Sequence, residues 1–231
     1  MKITIVFNNE SIKGFKKGWG LSILLQYDNK NILFDTGCSG EDLLFNLNKL
    51  NIDIDSIDPI IISHSHWDHT GGLFSLLSNN SNKNIFVGES FSNKFGEELK
   101  NRGANLIRNN DWSEISENLF LTPELKTNFP EQALIYNDHK QSIIFAGCSH
   151  PLVEDFSEIV YKRFSNPIVL IGGFHMFNNN EKKISERIEK LKKFNIKEIY
   201  PLHCTGEKAT YRFTEHFRTT VIRGGESFDI I

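Results

Sequence analysis

The sequence is poor in cysteine and contains no long apolar run. Its 231 residues include three cysteines, Cys38, Cys148 and Cys204, a number that is odd and too small for a disulfide framework. No segment approaches the ~18–20 apolar residues that a membrane-spanning helix needs. The opening residues, MKITIVFNNE, lack the basic head and long apolar middle of a signal peptide. We therefore expect a reduced, cytoplasmic protein with no membrane span.

An excess of positive charge is absent as well. The chain has 26 Lys and Arg residues against 29 Asp and Glu residues, a formal net charge of −3, which argues against a protein that coats nucleic acid. Internal repeats and long linkers are also absent. Because domains commonly contain about 100–200 residues and larger single domains are frequent, we expect one domain over residues 1–231.

Short apolar segments alternate with helical patterns along the chain, which is typical of a layered α/β domain with helices outside two sheets. The β-rich, apolar composition of the short segments predicts strands at 2–7, 21–27, 31–35, 59–63, 84–88, 133–136, 142–146, 167–173 and 198–203. The spacing of apolar residues predicts helices at 41–50, 92–101, 151–164 and 181–194, followed by a helix and a strand within 206–223.

A cluster of metal-ligand residue types follows the predicted strand 59–63 directly. It reads HSHWDH and contains His64, His66, Asp68 and His69. Imidazole and carboxylate groups bind zinc, manganese and iron. His64 and His66 project to the same side of an extended segment, and Asp68 and His69 can face a second ion, as in two-metal sites with ions ~3.5–4 Å apart. Since closed structural zinc sites favour cysteine ligands, this cysteine-free cluster predicts a catalytic metal site.

The chain resembles the metallo-β-lactamase fold superfamily, whose signature is H-x-H-x-D-H after a buried strand. It is similar in particular to the branch named for the 7,8-dihydropterin-6-methyl-4-(β-D-ribofuranosyl)aminobenzene 5′-phosphate synthase. The resemblance implies a four-layer αββα sandwich with the metals at one edge, between the sheets. The matching segments are GLSILL (20–25), FDTG (34–37), SHSHWDHTGGL (63–73), EQALIY (131–136), GCSH (147–150), GGFH (172–175) and PLHCTGEKA (201–209).

Three further histidines, His150, His175 and His203, each follow a predicted strand. The resemblance implies a third histidine that completes the first metal and a last histidine for the second metal. We assign these positions to His150 and His203. The other two histidines, His139 and His216, lie in polar surroundings and are expected at the surface.

The superfamily also carries an aspartate that bridges both ions, on a Gly-Asp at a strand end, and this chain has no such Gly-Asp. Gly147-Cys148 stands in the matching place, so either Cys148 or His175 takes the bridging role, or Cys148 is a small buried residue under the site. Two divalent ions are expected, with zinc ahead of manganese or iron because a thiolate ligand favours zinc. Cys38 and Cys204 are not expected to be ligands, since Cys204 would point away from the side of His203 in an extended segment.

The resemblance also implies a supporting role for Asp35, which ends an early strand and would orient a metal-bound histidine. The alternative is an aspartate that forms a local turn. Thr205, Gly206 and Lys208 open a predicted helix, whose backbone N–H groups and lysine suit a phosphate group of the substrate. An ordinary helix start is the alternative.

These residues predict a metal-dependent hydrolase in which a metal-bridged hydroxide attacks a phosphoester or phosphodiester bond of a small-molecule substrate. Asp68 would orient the hydroxide and take its proton, and His175 would donate to the developing oxyanion. The alternatives are a synthase like the namesake of the branch, an RNA-processing nuclease, and a metal-binding sensor without activity. The superfamily also has a diiron branch, which carries glutamate where this chain has His66. Reduction of oxygen or nitric oxide is therefore not expected.

Overall fold

The computed structural model describes residues 1–79 and 81–230. In chain order its strands are β1 (Lys2–Phe7), β2 (Ser22–Tyr27), β3 (Lys30–Phe34), β4 (Ile57–Ile61), β5 (Asn84–Gly88), β6 (Asn105–Asn109), β7 (Ser113–Ser116), β8 (Leu119–Leu121), β9 (Leu134–Asn137), β10 (Ser142–Ala146), β11 (Ile168–Gly173), β12 (Ile196–Leu202) and β13 (Ser227–Asp229). Its helices are α1 (Gly40–Lys49), α2 (Trp67–Thr70), α3 (Leu73–Asn79), α4 (Asn93–Asn101), α5 (Val153–Phe164), α6 (Glu181–Leu191) and α7 (Glu207–Thr214). No helix in this described part of the chain has the length and apolar character of a membrane span.

The chain divides into two compact units. The first contains Met1–Asn110 and Arg223–Ile231, and the second contains Asp111–Ile222. Each unit has its own sheet, its own helices and its own apolar core. The single domain expected over residues 1–231 stays a prediction.

The first unit is built on a seven-stranded sheet in the order β13-β1-β2-β3-β4-β5-β6. The strands from β13 to β3 pair antiparallel, whereas β3, β4, β5 and β6 run parallel. Leu43 and Leu47 lie one turn apart on α1 and, with Leu76 of α3, pack in the same buried cluster as strand residues such as Leu33 and Ile60. This packing follows from apolar residues at helical spacing against strands with buried side chains.

The second unit is built on a six-stranded sheet in the order β12-β11-β10-β9-β8-β7. β7 to β10 pair antiparallel, and β10, β11 and β12 run parallel. Its core contains Val153 and Phe156 of α5, Ile184 and Ile188 of α6, and Phe213 of α7. Because neighbouring parallel strands end at the same edge of a sheet, the segments after β10, β11 and β12 lie side by side. These segments carry Cys148, His150, His175 and His203.

Several predicted elements differ from the structure in their bounds. The strand predicted at 59–63 forms over Ile57–Ile61, and the helix predicted at 181–194 ends at Leu191. The helix predicted over 151–164 begins at Val153, because Leu152 takes a left-handed φ of 99° that ends the preceding turn. Within the predicted helix–strand pair at 206–223, the helix forms over Glu207–Thr214, whereas a strand forms later, at Ser227–Asp229. There β13 pairs with β1 at the edge of the first sheet.

Candidate metal centre

The histidine cluster of the first unit, which consists of His64, His66, Asp68 and His69, follows the end of β4. His66 has extended backbone angles and is the N-cap of the short helix α2. The first turn of that helix then carries Asp68 and His69, both of which are buried, as is His64. A strand end followed at once by a helix start therefore brings all four side chains together within six residues.

The distances inside the histidine cluster are those of groups that converge on one region. Nε2 of His64 lies 3.1 Å from Nδ1 of His66. Nε2 of His69 lies 3.8 Å from Oδ2 of Asp68, and the ring centroids of His64 and His69 are 4.2 Å apart. Three imidazoles and a carboxylate thus gather within one unit of the protein.

Asp35 fixes the orientation of two of these imidazoles. It follows β3 and is fully buried. Its Oδ2 accepts hydrogen bonds from Nδ1 of His69 at 2.6 Å and from Oγ of Ser63 at 2.7 Å, and its Oδ1 accepts the backbone N–H of Ser63 at 2.8 Å. Since the Ser63 hydroxyl donates its proton to Asp35, that hydroxyl accepts from Nδ1 of His64 at 2.8 Å. Both imidazoles therefore carry their proton on Nδ1 and their lone pair on Nε2.

This donor set fits a divalent metal ion. Metal-bound histidines almost always donate their other ring N–H to a carboxylate or another oxygen, which fixes the tautomer. His69 donates to Asp35, and His64 reaches the same carboxylate through Ser63. Imidazole nitrogens together with the Asp68 carboxylate form a ligand set that zinc, manganese and iron accept. The histidine cluster is therefore suited to hold a metal ion.

The strand-end group of the second unit consists of Cys148, His150, His175 and Cys204, with His203 directly after β12. The candidate ligand atoms of Cys148, His175 and Cys204 all lie within 4.8 Å of one another. The two sulfurs are 3.2 Å apart, and the backbone N–H of His175 donates to Sγ of Cys204 at 3.3 Å. The imidazole of His150 lies near that of His175, with ring centroids 4.7 Å apart and the ring planes tilted by 51°.

Cys204, which is not expected to be a ligand from the sequence, lies beside Cys148 and His175. Residues His203–Thr205 form a 3₁₀ turn in which His203 has a left-handed φ of 48°, so the alternation of an extended strand does not apply there. Burial raises the pKa of the Cys204 thiol, but hydrogen bonds with Cys148 and His175 outweigh it and hold that pKa well below its ordinary value. The same hydrogen bond with Cys204 raises the pKa of the His175 imidazole.

Glu131 is a residue of this region to which sequence reasoning assigned no role. It is fully buried, and its Oε1 accepts the backbone N–H groups of Gly147, Cys148 and Ser149, each at 3.0 Å. Its Oε2 accepts the backbone N–H of His150 at 2.9 Å. One carboxylate thus holds the whole turn that carries Cys148 and His150. The only signal in the sequence is a charged residue two positions before an apolar run that starts at Ala133.

The residues predicted to bind substrate have different surroundings. Thr205 is buried, and its hydroxyl accepts the N–H of Phe174 at 3.1 Å and donates to the carbonyl of Gly172 at 3.4 Å. Gly206 is the N-cap of α7 with a φ of 80°, and Lys208 is exposed on the first turn of that helix. A substrate role for these three residues stays a prediction.

Comparison with known proteins gives consistent matches over the chain. The family model of the metallo-β-lactamase superfamily matches residues 20–203. The 7,8-dihydropterin-6-methyl-4-(β-D-ribofuranosyl)-aminobenzene-5′-phosphate synthase of Methanocaldococcus jannaschii is 30% identical, and the alignment covers 86% of this chain and 85% of that protein.

Solved structures share the fold. Tm1679, described as a metal-dependent hydrolase of the β-lactamase superfamily, superimposes with a TM-score of 0.84 at 24% identity and covers 100% of this chain and 99% of its own. The short form of human tRNase Z superimposes with a TM-score of 0.67 at 17% identity, with 100% of both chains covered. The mixed α/β architecture with two sheets is confirmed. The chain belongs to the metallo-β-lactamase superfamily, in the branch of the 7,8-dihydropterin-6-methyl-4-(β-D-ribofuranosyl)aminobenzene 5′-phosphate synthase-like proteins.

Proposed function

We propose that this chain is a hydrolase that depends on two divalent metal ions and cleaves a phosphoester or phosphodiester bond of a small molecule. The observation that carries the proposal is the histidine cluster, in which Asp35 and Ser63 hold His64 and His69 with Nε2 as the lone-pair nitrogen. The superfamily consists mostly of metal-dependent hydrolases, which supports the reaction type. The scarcity of cysteine supports a cytoplasmic location.

The proposed ligands come from two groups of residues. The histidine cluster supplies His64, His66, Asp68 and His69. The strand-end residues His150 and His203, with Cys148 or His175 in place of the missing bridging aspartate, would complete the set. Zinc is the ion that best suits a set containing a thiolate.

When bound, a pair of divalent ions supplies a hydroxide nucleophile near neutral pH and neutralises charge on the transferred group. Asp68 is placed beside His69, where its carboxylate can orient the attacking oxygen and accept the proton. Asp35 keeps His69 in one tautomer. His175 is exposed, so its ring N–H can reach a substrate and donate to the developing negative charge.

Substitution of single ligands tests this proposal. His66→Ala and Asp68→Asn should each lower the hydrolysis of bis(p-nitrophenyl) phosphate by at least about 100-fold, because loss of a proton-transfer group alone costs about 10²–10⁴ in rate. The assay measures release of p-nitrophenol with zinc or manganese present. His216→Ala is the matched control, since His216 is an exposed histidine after α7. Equal activity in all three variants would exclude the proposed site.

A synthase is the second candidate function. The observation in its favour is the M. jannaschii relative, which is named as a synthase and is 30% identical. Both functions are compatible with this fold, because a fold does not determine the reaction. A wild-type chain that holds metal but releases no p-nitrophenol from phosphomonoesters or phosphodiesters would favour the synthase.

A further inference from the structure

A cavity of about 340 Å³ opens in the second unit beside two residues of the strand-end group. His150 and His175 form part of its wall, and one face of α6 forms another part. The residues of α6 that face the cavity are spaced three and four apart, which places them on one side of the helix. A volume of this size lies within the range of cavities that bind small molecules.

The charges on the cavity wall favour an anion. Lys183, Arg187 and Lys190 contribute three positive charges, and Glu154 and Glu186 contribute two negative charges. Arg187 forms a buried, two-pronged ion pair with Glu154, with N–O distances of 2.9–3.2 Å. Nζ of Lys190 lies 3.7 Å from the same carboxylate. The two positive charges of Arg187 and Lys190 therefore exceed the single negative charge of the Glu154 carboxylate.

Lys183 is the cation of the cavity wall that takes no part in the ion pairs of Glu154. Glu186 has its own partner outside the cavity wall, Lys182, at 4.0 Å. Within residues 1–79 and 81–230, no carboxylate lies within ion-pair distance of the Lys183 ammonium group. An ammonium group on a flexible stem is a point charge that suits phosphate recognition.

We propose that this cavity binds an anionic group of the substrate, of the size and charge of a phosphate monoester, and that Lys183 contacts it. The inference rests on the proposed function, because it places the anionic group next to His150 and His175. It differs from the phosphate position predicted at Thr205 and Lys208, since the Thr205 hydroxyl is already engaged by Phe174 and Gly172. The substrate would then carry an anionic group in addition to the bond that is cleaved.

Binding of methylphosphonate tests this inference, because its carbon–phosphorus bond is not cleaved by ester hydrolysis. Isothermal titration calorimetry on the metal-loaded protein should give a dissociation constant about tenfold higher for Lys183→Met than for wild type, as expected for loss of a charged hydrogen bond. Lys183→Glu should weaken binding further. Lys192→Met is the matched control, since Lys192 is the C-cap of the same helix, pairs with Glu189 and does not line the cavity. The dissociation constant of this variant should equal that of wild type.

Two results would overturn the inference. In the first, Lys183→Met has the same dissociation constant as wild type, whereas His66→Ala no longer binds methylphosphonate. This result would place the phosphonate on the metal ions alone. The other is a wild-type protein that does not bind methylphosphonate. Hydrolysis of bis(p-nitrophenyl) phosphate, measured on the same samples, separates the two proposals. If the wild-type protein hydrolyses the diester and Lys183→Met binds methylphosphonate as wild type does, only the cavity proposal is rejected. If Lys183→Met weakens methylphosphonate binding but the wild-type protein does not hydrolyse the diester, only the hydrolase proposal is rejected.

Discussion

Asp35 combines an unfavourable backbone conformation with several strong hydrogen bonds. Its φ is 59°, a left-handed value that costs a non-glycine residue on the order of 1–2 kcal/mol. His175 and His203 have similar values, 47° and 48°. Such strain is found where the surrounding structure determines the conformation, and it concentrates at functional sites. For Asp35, the hydrogen bonds to Ser63 and His69 hold the backbone in this conformation.

Asp35→Asn should lower the affinity of the protein for zinc by about 10–100-fold, the usual effect of losing a partner that orients a metal-bound histidine. The amide retains one acceptor but presents N–H groups to His69 or Ser63, which disturbs the tautomer of His69. Competition with a chromogenic zinc chelator measures the affinity. Asp55→Asn is the control, because Asp55 is exposed. Equal zinc affinity in wild type and Asp35→Asn would mean that His69 is not a ligand.

Individual site residues differ in how far the sequence reveals them. His64, His66, Asp68 and His69 are evident from the sequence because they lie within six residues. The contact between Asp35 and His69 joins positions 34 residues apart, so only the family pattern suggested a role for Asp35. The contact between the sulfurs of Cys204 and Cys148 joins positions 56 residues apart, and no pattern along the sequence indicated it.

At the scale of elements, the turn between β10 and α5 depends on a carboxylate from the segment before β9. Glu131 accepts four consecutive backbone N–H groups of this turn. Buried backbone N–H groups need partners, and an unpaired one costs about as much as a lost hydrogen bond. Ser149, inside the turn, has a left-handed φ of 58°. The turn that carries Cys148 and His150 is therefore stabilised by Glu131, a residue outside the turn.

Glu131→Gln should lower the free energy of unfolding by about 1–3 kcal/mol, because one amide N–H would face a backbone N–H donor in a buried site. Urea denaturation followed by circular dichroism measures the change. Glu117→Gln, at an exposed position between β7 and β8, should leave the midpoint unchanged. If Glu131→Gln unfolds at the same urea concentration as wild type, the turn does not depend on this carboxylate.

The predictable elements are those with a clear apolar pattern. β1, β5 and β10 occupy the predicted positions, as does α1 to within one residue at each end. β7 was missed because three of its four residues, SEIS, are polar and none is buried. Its pairing with β8 supplies what the sequence pattern lacks. Short strands of this kind depend on their neighbours more than on their own composition.

At the scale of the whole molecule, the sequence indicates the fold more directly than it indicates the reaction. Motifs in order along the chain indicated the superfamily, and the family model over residues 20–203 confirms it. The reaction depends on the few side chains at the site and on the metal they hold. The missing Gly-Asp is the point at which the site residues of this chain depart from the family pattern.

Metal content per chain is the measurement that tests the central claim most directly. Inductively coupled plasma mass spectrometry on untagged protein, purified without chelators, should find about two zinc, manganese or iron ions per chain. His66→Ala should reduce that number, because His66 contributes one of the converging nitrogens of the histidine cluster. One ion or fewer per wild-type chain, even after zinc and manganese are supplied, would contradict the two-metal hydrolase.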